Sequence, residues 1–244
     1  MAQHIASAYD RDLETVQAHI MKMGGLVEQA ILEASEALEA RDEEMAEKVR
    51  RNDVVIDEME EMIQAEAARI IALRQPAAGD LRIVLTILKI AGNLERIADY
   101  AKNMAKRTSV LVQMHPIAGA HTALRRMARE VEGMLRDALD AYIQRDATLA
   151  QDVIIRDRDV DQMYNALFRE FLTFMMEDPR NITACMHLHF IAKNTERMGD
   201  HVTSIAEQVV YLVTGSAPEE ARIKGDKTST DPSVAPTAPL TGGK

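Results

Sequence analysis

The chain contains no tryptophan, a single cysteine and no apolar run long enough to cross a bilayer. Each absence excludes something. Cys185 has no second thiol to pair with, so no intramolecular disulfide staples the fold, which suits a reducing compartment. It reads as a small buried hydrophobe rather than a nucleophile. The longest apolar stretch, Ile83 to Ala91, is broken by Thr86 and Lys89. It falls far short of the roughly 20 residues that span a membrane. The opening MAQHIASAYDRDLE has no apolar h-region, so no signal peptide is read there. The expectation is a soluble, cytoplasmic protein that meets membranes only through partners.

Aromatic residues make up only 4% of the 244 residues, so Leu, Ile, Val, Ala and 15 Met must fill the core. That composition favours helices over a β-sandwich. Basic side chains are also in deficit, 29 against 39 acids, for a net charge of −10. Such a field repels phosphate backbones, which disfavours nucleic acid as a partner, and attracts cations and basic surfaces.

What is present is helical periodicity. From Leu13 the apolar positions Val16, Ile20, Met23, Val27, Ala30, Ala34 and Leu38 recur at spacings of three and four. Met45, Val49, Ile56, Met59, Ile63, Ile70 and Leu73 follow a heptad register whose gaps hold Asn52 and Glu66. Ile83, Ile87, Ile90, Leu94, Ile97, Ala101, Met104 and Leu111 form a third stripe. Asp42 before Glu43 and Glu44 is an N-cap signal, and Asp178-Pro179 is another. Helices are therefore predicted near 4–40, 43–74, 78–113, 119–144, 147–177 and 179–214. At about 30 residues each they run roughly 45 Å, and short connections make neighbours antiparallel. Four of the seven prolines lie after Gly215, so 215–244 reads as a disordered tail.

The chain also repeats itself. IAGNLERIADY from Ile90 answers IAKNTERMGDH from Ile191, and nine of 23 positions across 90–112 and 191–213 are identical. Arg41-Asp42 matches Arg145-Asp146, and Asp53-x-x-x-Asp57 matches Asp157-x-x-x-Asp161. Shared polar letters, not only apolar ones, mark a duplicated three-helix unit. The expected fold is all-α, two tandem three-helix bundles over 1–114 and 115–214.

Chemistry concentrates in the repeated carboxylates. Glu95 and Asp99, like Glu196 and Asp200, stand one helical turn apart on one face. Each first carboxylate follows a stripe position, Leu94 or Thr195, so it is expected about 100° off the core stripe, toward solvent. Asp53/Asp57 and Asp157/Asp161 form matching pairs on the second helix of each unit. If second and third helices pack together, each unit gathers four carboxylates, an oxygen set suited to Mg²⁺, Mn²⁺, Ca²⁺ or iron. The plainer reading is a structural salt bridge to Arg96 or Arg197 that duplication preserved.

No catalytic signature competes. A di-metal carboxylate oxidase uses Glu-x-x-His on two helices, and none of the seven histidines has Glu three residues before it. His187 and His189 point to different faces, and His201 is answered by Tyr100 in the other unit. Phosphate loops, Gly-x-Gly-x-x-Gly turns, Gly-x-Ser-x-Gly elbows and His-Glu-x-x-His are missing. A metal-free helical scaffold is the other alternative.

Taken together, Met23-Gly24-Gly25-Leu26-Val27, Arg41-Asp42, Leu73-Arg74-Gln75-Pro76, Leu94-Glu95-Arg96-Ile97-Ala98-Asp99, Glu196-Arg197-Met198-Gly199-Asp200-His201 and Tyr211-Leu212-Val213-Thr214-Gly215 resemble the PhoU family. The resemblance covers nearly all of 5–214. It implies two three-helix bundles, often paired as homodimers, with no catalytic activity. It implies divalent or ferric ions (Fe, Zn, Mg or Mn) at Glu95, Asp99, Glu196 and Asp200; the acidic pairs themselves add Asp53, Asp57, Asp157 and Asp161 as candidates. Asn93, Arg96, Asn194 and Arg197 would support them or form salt bridges. It also implies a negative regulator of phosphate-starvation signalling that contacts a sensor histidine kinase and the ATPase of the phosphate transporter. Two positions depart from the family pattern: Ala98 where Gly is frequent, and Thr195 where Leu is frequent. Neither removes a carboxylate.

Overall fold

The apolar stripes become six helices in the computed structural model, which describes residues 2–216 and side-chain environments from Tyr9 onward. They are α1 (Ala2–Ala40), α2 (Glu43–Arg74), α3 (Gly79–Leu111), α4 (Ala120–Gln144), α5 (Ala147–Glu177) and α6 (Ile182–Thr214). A single 3-10 turn, Pro179–Asn181, leads into α6. Asp178 caps it by accepting from the Arg180 N–H at 2.9 Å. Most of the predicted disordered segment, from 217 on, lies outside the described residues.

The repeated Arg-Asp pair is a turn device. Arg41 and Arg145 both take left-handed φ, 56° and 53°. In each unit the following Asp N–H reaches back to a carbonyl of the first helix at 2.9 Å, Asp42 to Ala37 and Asp146 to Ala141. This is the closing bond of a helix C-cap motif. The same aspartate then caps the next helix: Asp42 Oδ1 accepts from the Met45 N–H at 3.0 Å, and Asp146 Oδ1 from the Thr148 and Leu149 N–H groups. Two residues thus end one helix and start another antiparallel to it. Arg41 also donates to the carbonyls of Val112 and Met114, tying the end of α3 to this turn.

Helices α1–α3 form one three-helix unit and α4–α6 the other, and they join through α1 against α4 and α3 against α6. At the α1–α4 crossing, Gly24 lets the backbones approach, because an added Cβ would collide with Leu139 Cδ1. The core is continuous: Val27, Ile31, Ile63, Ile87, Leu94, Val131, Leu135, Leu188 and Ile205 are all fully buried. Salt bridges cross the same joint, with Arg125 of α4 paired to Glu36 and Glu39 of α1.

Leu73 departs from expectation. It belongs to the heptad series Met45, Asn52, Met59, Glu66, Leu73, yet it is 66% exposed. An α-helix drifts about 20° per heptad from a strict seven-residue repeat. Met59, at the centre of the series, is buried; the ends rotate out, leaving Met45 half-buried and Leu73 in solvent.

Candidate metal-binding seams

Because α3 touches α1, α2 and α6, a side chain about 100° off one apolar stripe does not reach open solvent. It reaches the next helix. The same holds for α6, which touches α3, α4 and α5. Asp53, Asp157, Asp161 and Glu196 are therefore enclosed between helices, while Asp99 and Asp200 stay partly exposed at the rim. Asp53, Asp157, Asp161 and Glu196 are buried, at 4% exposure or less. Glu95, Asp99, Asp57 and Asp200 are half-buried.

In the first unit, Asp53 and Asp57 of α2 face Glu95 and Asp99 of α3, and a lysine fills the space between them. Lys102 Nζ donates to Asp53 Oδ2 and lies 3.6 Å from Asp99 Oδ1. Its hydrogen bond to Asp53 holds the Lys102 ammonium above its ordinary pKa. Burial pushes Asp53 up, with Lys102 acting against it. Glu95 is pushed up to about 7, first by burial and then by the negative charge of Asp99. Arg96 Nε sits 3.4 Å from Glu95 Oε2, with its NH1 3.7 Å from Asp99 Oδ2.

In the second unit the cation comes from a different place. Lys193 Nζ donates to Glu196 Oε1 at 2.8 Å and lies 4.9 Å over the Tyr164 ring. Lys102 sits three residues after Asp99, whereas Lys193 sits three before Glu196. In the repeat alignment Lys102 answers Thr203 and Lys193 answers Gly92. Reasoning from shared letters passed over both lysines. The i,i+3 spacing to a carboxylate was the signal that could have found them.

The glycine departure has a steric cause. A Cβ on Gly199 would lie 3.2 Å from Asp157 Oδ1 and 3.4 Å from Val160 Cγ1. In the first unit Ala98 lines a small cleft beside Asp53, whose carboxylate is drawn toward Lys102. The methyl fits there.

The supporting residues separate. Asn93 Nδ2 donates to the Lys89 carbonyl, and its Oδ1 lies 2.8 Å from His201 Nδ1. That oxygen only accepts, so the histidine nitrogen carries the proton. Asn93 thus bridges the two units instead of holding a seam carboxylate. Asn194 is half-buried on α6. Arg197 is exposed and makes no ion pair among the described residues.

The donors are hard oxygens, and in the first unit those of Asp53 and Asp99 share one positive charge, the Lys102 ammonium. Among the described residues, no three His, Cys, Asp or Glu side chains close on one point. Of the four carboxylates expected to gather in the first unit, Lys102 bridges two, Asp53 and Asp99. A metal ion would take the lysine's place.

Comparison with known proteins agrees with this architecture. The PhoU domain model matches residues 20–108 and 124–209, one segment in each unit. A phosphate-specific transport system accessory protein PhoU homolog from Caulobacter vibrioides is 42% identical over 94% of this chain and 100% of its own length. One from Zymomonas mobilis is 47% identical over 91% of this chain and 93% of its own. The crystal structure of PhoU from Pseudomonas aeruginosa superposes with a TM-score of 0.83 at 40% identity, covering 85% of this chain and all of that one. With one matched domain per helical unit, the chain belongs to the PhoU family.

Proposed function

We propose that this protein regulates phosphate uptake as an accessory protein of a phosphate-specific transport system. It restrains phosphate-starvation signalling when phosphate is plentiful. The observation that carries the reading is the end-to-end match, at 42% identity, to a relative bearing that name. The protein acts by docking rather than turnover, in the cytoplasm and as a homodimer. Its partners are the sensor histidine kinase and the transporter ATPase. No helix among the described residues is long and apolar enough to cross a membrane, consistent with contact through partners.

The seams contribute a cation-holding element. Glu95, Asp99, Asp53 and Asp57 in one unit, and Glu196, Asp200, Asp157 and Asp161 in the other, are the residues that would hold divalent or ferric ions. A bound ion would supply positive charge that relieves the repulsion now raising the Glu95 pKa. In the first unit it must displace Lys102.

A Caulobacter vibrioides strain lacking its own relative, carrying a phosphate-starvation reporter, tests the regulatory role. Expression of this chain should silence the reporter in high phosphate. A reporter left fully active despite soluble, folded protein would reject it. One observation favours a metal-free version of the same function: Lys102 and Lys193 already place positive charge against the acids. Elemental analysis of untagged protein decides between the two.

A further inference from the structure

The outer side of the α3–α6 pair differs in charge from the rest of the molecule. Along α3, positions 82, 89, 93, 96, 100 and 107 share one side of the helix. Arg82 stands 5.4 Å over the Tyr211 ring, Tyr100 lies 5.7 Å from His201, and Arg107 stands 4.3 Å over Phe190. These contacts join α3 to α6 along one side of each, and the exposed residues Leu85, Lys89, Arg96, Lys106, Met186, Phe190 and Arg197 border that joint. Arg82, Lys89, Arg96, Lys106, Arg107 and Arg197 lie on this face. Lys193 completes the bases. The acids on it are Asp99, Asp200 and Glu207, and Asp99 is tied to Lys102 and Arg96. With the Glu95 and Glu196 carboxylates that Arg96 and Lys193 engage, seven bases stand with five acids here, in a chain with 29 bases and 39 acids.

Three of these bases, Lys89, Lys106 and Arg197, are exposed and make no ion pair among the described residues. Elsewhere Lys48, Arg74, Arg125, Arg136 and Arg156 are bridged to carboxylates, while Arg126, Arg158 and Arg169 are exposed without an ion pair among the described residues but lie on α4 and α5. Exposed apolar side chains flank the bases: Leu85 toward one end, and Val110, Met186 and Phe190 toward the other, each about two-fifths exposed. A basic centre with apolar ends is the complement of an acidic surface that carries apolar anchors.

We propose that the outer face of α3 and α6 is a docking surface for an acidic protein segment with apolar anchors. The surface is a property of this face and goes beyond the regulatory reading, which names partners but no contact. Long-range attraction brings the acidic segment in, and Phe190, ordered beneath Arg107, supplies an apolar anchor point at one end of the face.

The full-length protein is titrated against a labelled synthetic helical peptide of about 20 residues with a Glu face and a Leu face, followed by fluorescence anisotropy. The triple variant K89E/K106E/R197E should weaken binding by about tenfold or more. The charge-matched control R51E/R126E/R169E, on α2, α4 and α5, should leave it within about twofold. Circular dichroism confirms that both variants fold. The same two variants enter the phosphate-starvation reporter strain, where only the first should lose silencing. Equal weakening by both variants, or by neither, overturns the proposal. So does tighter binding of single-stranded RNA or of phosphatidylglycerol vesicles than of the peptide. If wild-type protein fails to silence the reporter, the regulatory reading falls while the peptide titration still decides the surface. If wild type and K89E/K106E/R197E silence equally, the regulatory reading stands and the surface falls.

Discussion

Lys102 reaches from α3 to the buried Asp53 of α2 and lies 3.6 Å from Asp99 one turn away on its own helix. One ammonium thereby serves two carboxylates that the sequence places on separate helices. Removing it has two opposite consequences. Asp53 is left buried without its partner, a change that costs about 1–3 kcal/mol once the partial exposure of Lys102 is discounted. At the same time the position opens to other cations. K102M should lower the urea midpoint of metal-free protein. It should also tighten Mn²⁺ binding, followed by calorimetric titration, by about tenfold. A variant that loses stability without gaining Mn²⁺ affinity would remove the seam as a cation site.

Gly199 lies against Asp157, where a Cβ would stand 3.2 Å from Oδ1. G199A should destabilise the second unit by about 1–3 kcal/mol, as overpacking does, with the carboxylate forced to shift. A98G in the first unit removes a methyl that already fits, so it should cost only about 1 kcal/mol, from helix propensity. Denaturant midpoints of the two variants compare them directly, and equal losses would contradict the asymmetry described between the seams.

The two Arg-Asp turns are built alike, and their caps should respond alike. D42A and D146A each leave helix N–H groups without a side-chain acceptor, at about 1 kcal/mol per cap. The caps sit in different units, so the double variant should show the sum within about 0.5 kcal/mol. Thermal melts at neutral pH measure it.

His121, on α4, has its pKa held below the ordinary 6.5, first by burial and then by Arg41, with Glu39 acting in the other direction. The unfolded chain therefore takes up a proton at higher pH than the folded one. Its contribution to stability is complete above pH 6.5 and declines as pH falls below that value. H121Q should flatten the pH dependence of the urea midpoint just below pH 6.5, relative to wild type. A parallel pair of curves would show that His121 is not the group responsible.

Much of the fold was legible because it rests on local rules. Apolar stripes, cap signals and the internal repeat together located all six helices, and α2 and α5 begin and end at the expected residues, 43–74 and 147–177. The Arg-Asp repeat was visible as letters; its work as a shared cap became clear only with the left-handed φ of Arg41 and Arg145. Leu73 misled because a heptad count ignores helical drift over four repeats.

The seams were legible only in part. The duplicated acids were legible, and packing of α2 on α3 brings Asp53 and Asp99 to the same lysine, though among the described residues no three carboxylates close on one point. Their outward orientation was an error of counting neighbours: a helix with three partners has little free surface for a side chain beside its main stripe to reach. Asn93 was expected near the carboxylates, yet it reaches across to His201 of the other unit.

The sequence alone determined helix, duplication and family, since each is written in spacings of a few residues or in repeated strings. Tertiary structure alone decided which charge meets which. The lysines in the two seams occupy unequal positions in the repeats; Lys193 meets Glu196 within one helix, whereas only the packing of α2 on α3 brings Lys102 to Asp53, about fifty residues away. Such a pairing is set by interhelical geometry, on which local periodicity carries no information.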